Sequence, residues 1–229
     1  MAEFYATISH DARRKSNKVA PGSQFAHTMK RRTLVVMVKE PRPGQVKTRL
    51  ARDIGTIPAV WWFRHQVSAL LREVRHPGWH LVLAVTPDIE GLTSRVWPAR
   101  LPRIPQGRGN LGARMHRIFR TQQGGPVCII GADIPGIRSR HIARAFDALG
   151  SDQAVFGPAH DGGYWLIGLK QTRPPPRAMF EGVRWSTAHA LADTESTLNG
   201  LSMSHVDRLR DVDTAADLRG LGHDDHEWP

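Results

Sequence analysis

Short runs of β-branched and aliphatic residues alternate with longer amphipathic runs from Thr33 onward, and few folds accommodate that alternation. Strands that are apolar on both faces must lie in the middle of a layer, with helices above and below. The expectation is one α/β domain with a Rossmann-like, mostly parallel central sheet flanked by helices. Expected strands are Thr33–Val38, His80–Val85, Val127–Ile130, Ala154–Phe156 and Trp165–Leu169. Expected helices run from about Pro58 to Arg75, then Leu111–Thr121, Ser139–Leu149, Ser186–Leu198 and Thr214–Leu221. Consecutive prolines in Thr172–Arg177 predict a stiff extended connection, and the span after it is too small for a core of its own. Residues 1–28 show neither periodicity and read as a poorly ordered extension before a natural start at Met29. The domain is expected over 29–222, with 223–229 as a frayed tail in which His223 and His226 carry little weight as metal ligands.

The formal charge of +11 points first to a polyanionic partner. Arginine supplies 26 of the cations and lysine 6, dispersed without a block of five, which argues against nucleic acid and for a small phosphorylated ligand. Trp61, Trp62 and Phe63 lie in an apolar helix and read as core, or as a homodimer contact if one ring is exposed. No apolar run approaches the ~20 residues that span a bilayer. The single cysteine, Cys128, rules out an intramolecular disulfide framework and fits a cytoplasmic location.

Five segments carry candidate chemistry. The loop after the first strand, VKEPRPGQVKTRLA (Val38–Ala51), holds Lys39, Arg42, Lys47 and Arg49 on a Pro/Gly-shaped turn. Ligands of such sheets bind beyond the carboxyl ends of the strands, so these cations suit phosphate oxygens; the alternative is a solvated basic loop. CIIGADIP (Cys128–Pro135) places Asp133 at the end of a buried strand, as a metal ligand or as a cap for the helix near Arg138. In FGPAHDGGYWLIGL (Phe156–Leu169), Asp161 precedes Gly162 and Gly163, either beside a bulky ligand or in a hairpin turn. QGRGNLGARM (Gln106–Met115) is a glycine-rich entry to a helix, a ligand loop or a plain connector. In LRDVDTAADL (Leu209–Leu218), Asp213 or Thr214 reads as a helix cap.

Together with Trp185–Thr187, these segments in this order resemble, over about Lys30 to Leu221, a bacterial family of candidate GT-A-type glycosyltransferases. That family was once catalogued as a domain of unknown function and described as radical-SAM/selenodomain-associated or arsenosugar-biosynthesis transferases. More distantly the chain is similar to nucleotidyltransferases that make guanylylated phospholactate or molybdenum cofactor, within the nucleotide-diphospho-sugar transferase superfamily. The resemblance implies that Lys39, Arg42, Lys47 and Arg49 contact phosphates, and that Gln106, Gly107, Gly109, Asn110 and Arg114 lie near the nucleoside. It implies that Asp133, with Asp161 nearby, binds Mg2+ or Mn2+. Asp161, Gly162, Gly163, Tyr164 and Trp185 would border the acceptor, with Lys39, Lys47, Asp133 and Asp161 as the catalytic set. The family usually has an acid where this chain has Asn110. The implied reaction is metal-dependent glycosyl transfer from a nucleotide-activated donor to a small acceptor. The alternatives are nucleotidyl transfer to a phosphorylated acceptor, and non-catalytic nucleotide or nucleic-acid binding.

Overall fold

The computed structural model describes residues 31–122, 124–171, 174–210, 214 and 217. The segments read above as an extension (1–28) and a tail (223–229), the candidate cap Asp213, and nearly all of the helix expected at 214–221 lie outside these residues. The elements run β1 (Thr33–Lys39), α1 (Thr48–Ile54), α2 (Thr56–Glu73), β2 (His80–Thr86), α3 (Asp88–Thr93), β3 (Arg103–Pro105), α4 (Leu111–Thr121), β4 (Val127–Gly131), α5 (Ser139–Ser151), β5 (Ala154–Pro158), β6 (Tyr164–Leu169), α6 (Ala190–Ser196) and β7 (Met203–His205).

One seven-stranded sheet has the order β3-β2-β1-β4-β6-β5-β7. β6 runs antiparallel to β4 and β5, and every other pairing of the named strands is parallel. The antiparallel strand follows from the chain itself: β5 and β6 have only Ala159–Gly163 between them, too few residues for the crossover that parallel neighbours require.

Alternation along the strands divides the core between the two faces of the sheet. Leu34, Val36 and Val38 of β1 pack with Phe63, Val67 and Leu70 of α2 and with Ile142 and Phe146 of α5. Val35 of β1 and Ile129 of β4 pack with Met115, Ile118 and Phe119 of α4. Cys128 is fully buried, and burial pushes its thiol far above the usual range, so it is no nucleophile. The aromatic triplet of α2 splits across the helix, with Phe63 buried, Trp62 half-buried and Trp61 57% exposed against Arg64. Trp61 is therefore not core. Among the described residues no helix is long and apolar enough to cross a membrane.

Candidate active site

β1 and β4 are parallel neighbours at the centre of the sheet, and the chain leaves them for opposite halves, β1 for β2 and β4 for β5 and β6. Their carboxyl ends form a topological switch point, where the loops diverge and leave a crevice. Lys39, Lys47, Arg49 and Asp133 line a cavity of about 340 Å³ there, together with the apolar Met37 and Phe63. The loop is shaped by local bonds. Arg42 N–H donates to Glu40 O at 2.8 Å, Gln45 N–H donates to Arg42 O at 3.0 Å, and Gly44 takes a φ of +73°. Lys47 enters α1 from the left-handed region, at φ +46°, a conformation that costs a non-glycine residue energy and is found most often where function demands it.

That backbone carries the Lys47 side chain inward until it is only 6% exposed, and Nζ donates to Asp133 Oδ2 at 3.2 Å. Asp133 itself is 44% exposed. The Trp62 ring lies 5.9 Å from the Lys47 ammonium. Asp133 does not cap α5, because the cap position is Arg138, five residues later. Gly131 leaves it room: a Cβ there would stand 3.0 Å from Asp133 Oδ1. Arg42 is outside this lining and pairs with Glu90 at 3.7 Å on the surface.

Asp133 also lines a second cavity of about 270 Å³, with Asp161, Tyr164, Trp185 and Ser186. Asp161 sits in the β5–β6 hairpin loop, where its Oδ1 accepts the Gly163 N–H at 2.9 Å. The hairpin reading and the site reading of this segment are therefore compatible. Gly162 has φ +84°, and a Cβ on it would lie 2.4 Å from the Ala188 carbonyl oxygen, while its own oxygen accepts the Leu191 N–H at 3.1 Å. Gly162→Ala combines a left-handed backbone with a backbone collision and is expected to cost about 1–3 kcal/mol, read as a lowered thermal midpoint. An unchanged midpoint would exclude the contact.

The helix expected over Ser186–Leu198 is shorter in the structure, where α6 runs from Ala190 to Ser196. Ser186 instead takes φ +59°, and Thr187 Oγ1 donates to Arg184 O at 2.8 Å, so the chain turns before the helix starts. Arg184 fixes this turn through a bidentate pair with Asp193, 2.9 Å at both oxygens. The guanidinium holds the Asp193 carboxyl well below its ordinary value, at about 2. Because the folded value is the depressed one, the pair is fully formed above the unfolded value near 3.8 and is lost as pH falls toward 2. An NMR titration of the Asp193 carboxyl should show this, and Arg184→Met should return it to the ordinary range.

Tyr164 completes this wall; burial pushes its phenol far above the usual range, so it stays protonated at neutral pH, and Thr194 Oγ1 donates to it at 3.4 Å. Leu111, at the start of α4, lines the same cavity. Gly112 allows this approach, since a Cβ there would come within 2.8 Å of the Trp185 ring.

The Gln106–Arg114 segment lines neither cavity apart from Leu111, and several of its polar groups bond to the protein itself. Gln106 is buried, and its Nε2 donates to Val38 O at 3.1 Å and to Ala84 O at 2.8 Å, tying the ends of β1 and β2 together. Arg114 donates to Gln106 Oε1 at 3.3 Å and to Gly109 O at 3.0 Å, and Gly107 N–H donates to Asp88 Oδ1 at 3.0 Å. Asn110 is the N-cap of α4, accepting from Ala113 N–H at 2.9 Å. Asn and Asp cap equally well, so this role does not depend on the charge that Asn110 lacks. Ser186, which the sequence marks only as the middle of the Trp185–Thr187 motif, joins the lining of the second cavity.

Residues 70–187 match the family model described as an uncharacterized protein conserved in bacteria (DUF2064). The chain belongs to the DUF2064 family. No curated protein matches it. Among solved structures, this DUF2064 chain is similar to a candidate nucleotide-diphospho-sugar transferase from Desulfovibrio desulfuricans G20. The two are 27% identical with a TM-score of 0.75, over 87% of this chain and 89% of the other. Two further likenesses show the fold alone. The 4-diphosphocytidyl-2C-methyl-D-erythritol synthase of Anaerococcus prevotii DSM 20548 is 10% identical at TM-score 0.56, over 85% and 95% of the chains. The Rv0371c protein of Mycobacterium tuberculosis H37Rv, in complex with manganese, is 14% identical at TM-score 0.51, over 83% and 97%.

Proposed function

We propose that this protein is a nucleotide-using transferase that moves a glycosyl group from a nucleoside-diphosphate sugar to a small acceptor, with the help of a divalent cation. The observation that carries this reading is the position of Asp133, on the shared wall of a cationic cavity and an acidic one. A diphosphate in the first cavity, against Lys39, Lys47 and Arg49, would present its sugar toward the second.

The residues fit a divalent ion. Among the described residues no three His, Cys, Asp or Glu side chains come together, so the protein offers Asp133, with Asp161 on the same cavity, and leaves the other positions to phosphate oxygens and water. That is the coordination Mg2+ prefers. When bound, such an ion supplies positive charge where the leaving diphosphate gains negative charge. Lys39, Lys47 and Arg49 would hold the same oxygens from the protein side, with Lys47 already oriented by its bond to Asp133, and preorganised charge is where electrostatic catalysis has its largest effect. Asp161 keeps Oδ2 available beyond its bond to Gly163 and would accept the acceptor hydroxyl proton. The acceptor oxygen bonds to the anomeric carbon, the bond from that carbon to the phosphate oxygen breaks, and its electron pair leaves with the nucleoside diphosphate.

Nucleotidyl transfer would use the same cationic cavity but release pyrophosphate from a triphosphate. Product analysis separates the two. Incubation of the full chain with Mn2+ and a panel of nucleotide sugars and triphosphates is expected to release nucleoside diphosphate from one nucleotide sugar. Pyrophosphate release with a phosphorylated acceptor would overturn the proposal.

A further inference from the structure

The two cavities that meet at Asp133 have opposite electrostatic character. The first gathers Lys39, Lys47 and Arg49 around one carboxylate. The second has two carboxylates, Asp133 and Asp161, and no Lys, Arg or His among its lining residues. Its remaining surface is suited to a sugar-like molecule. Trp185 and Tyr164 offer aromatic rings, and Ser186, held at φ +59°, carries a hydroxyl with no hydrogen-bond partner among the described residues. The nearest arginine along the chain, Arg184, is committed to Asp193 through both carboxylate oxygens.

We infer that the acceptor is an uncharged polyol, bound by Asp161, Ser186 and the Trp185 ring, and that phosphorylated and carboxylated acceptors are excluded. This rests on the transferase reading above. An anionic group entering this cavity would face the Asp161 carboxylate with no Lys, Arg or His in the lining to pair it, the Lys47 ammonium being engaged with Asp133 from the first cavity, whereas phosphate sites are built from Arg, Lys or free backbone N–H groups. A hydroxyl, by contrast, donates to a carboxylate and strengthens that bond by the carboxylate's charge. The volume of about 270 Å³ is enough for one sugar-sized molecule. Specificity of this kind is exclusion as much as attraction: Asp161 recognises the hydroxyl and repels the phosphate with the same charge.

The test uses the full chain with Mg2+ and matched pairs of probes: glucose against glucose 6-phosphate, glycerol against glycerol 3-phosphate, and myo-inositol against myo-inositol 1-phosphate. Nucleoside diphosphate binding is measured first by calorimetry. If no nucleotide binds, the transferase reading fails, independently of the acceptor. With the nucleotide bound, saturation-transfer NMR is expected to detect at least one neutral member, with its phosphorylated partner at least tenfold weaker. Asp161→Asn retains an oxygen for the Gly163 N–H, so the turn should fold, and it is expected to narrow that ratio. Phosphorylated members binding as well as neutral ones, or neither binding while the nucleotide does, would overturn the inference, as would an unchanged ratio in Asp161→Asn.

Discussion

Asp133→Asn is expected to abolish the metal-dependent part of nucleotide binding and to lower turnover by about 10²–10³-fold or more, with the thermal midpoint nearly unchanged. The substitution keeps the shape of the side chain and removes its charge. With 44% of that side chain exposed and no capping role in α5, the stability resting on it is its bond from the buried Lys47 ammonium, which the Asn amide oxygen can still accept. What it does carry is position: it lies two residues beyond the end of β4, the buried strand next to β1, and lines both cavities. Calorimetry with a nucleoside diphosphate, with and without Mn2+, reads the effect directly. In the parent chain Mn2+ should tighten nucleotide binding, and in Asp133→Asn the two titrations should coincide. A variant that retained the metal enhancement would remove Asp133 from the role proposed for it, whatever its turnover.

Much of the scaffold around this residue could be read from the sequence, because buried strands announce themselves as apolar runs. β1, β2, β4, β5 and β6 all do so, and the basic loop and Asp133 follow from knowing where β1 and β4 end. β3 and β7 escaped because each has three residues and none of them is buried, so neither shows a pattern. α1 and α3, with seven and six residues, bury one residue each and give no usable period. The antiparallel course of β6 was signalled by the missing helix between β5 and β6 but obscured by the parallel rule that fits the rest of the sheet. Gln106 shows a deeper limit. A glutamine beside glycines reads as a ligand donor, and only the fold reveals that its amide joins Val38 and Ala84, far apart in sequence. Trp61 shows the converse, an aromatic in an apolar helix whose ring faces outward.

Lys47→Met separates the two things the Lys47 ammonium does. Methionine can fill the space of the buried stem without the charge, so packing near Trp62 should survive. Losing the pair to Asp133 leaves a carboxylate that is 44% exposed to water, and the substitution removes the buried ammonium itself and so strands no buried charge, so the folded state should be little affected. Nucleotide binding should suffer far more. A charge-assisted bond to phosphate is worth about 1.5–3 kcal/mol, which is about tenfold to 150-fold in affinity. Mn2+ binding without nucleotide should move the other way, because Lys47 no longer neutralises the carboxylate an ion would use. Opposite shifts of the two affinities in one variant, measured by separate titrations, are not produced by a general loss of structure, which would weaken both. Weakening of both would mean that Lys47 supports the loop and does not compete at Asp133.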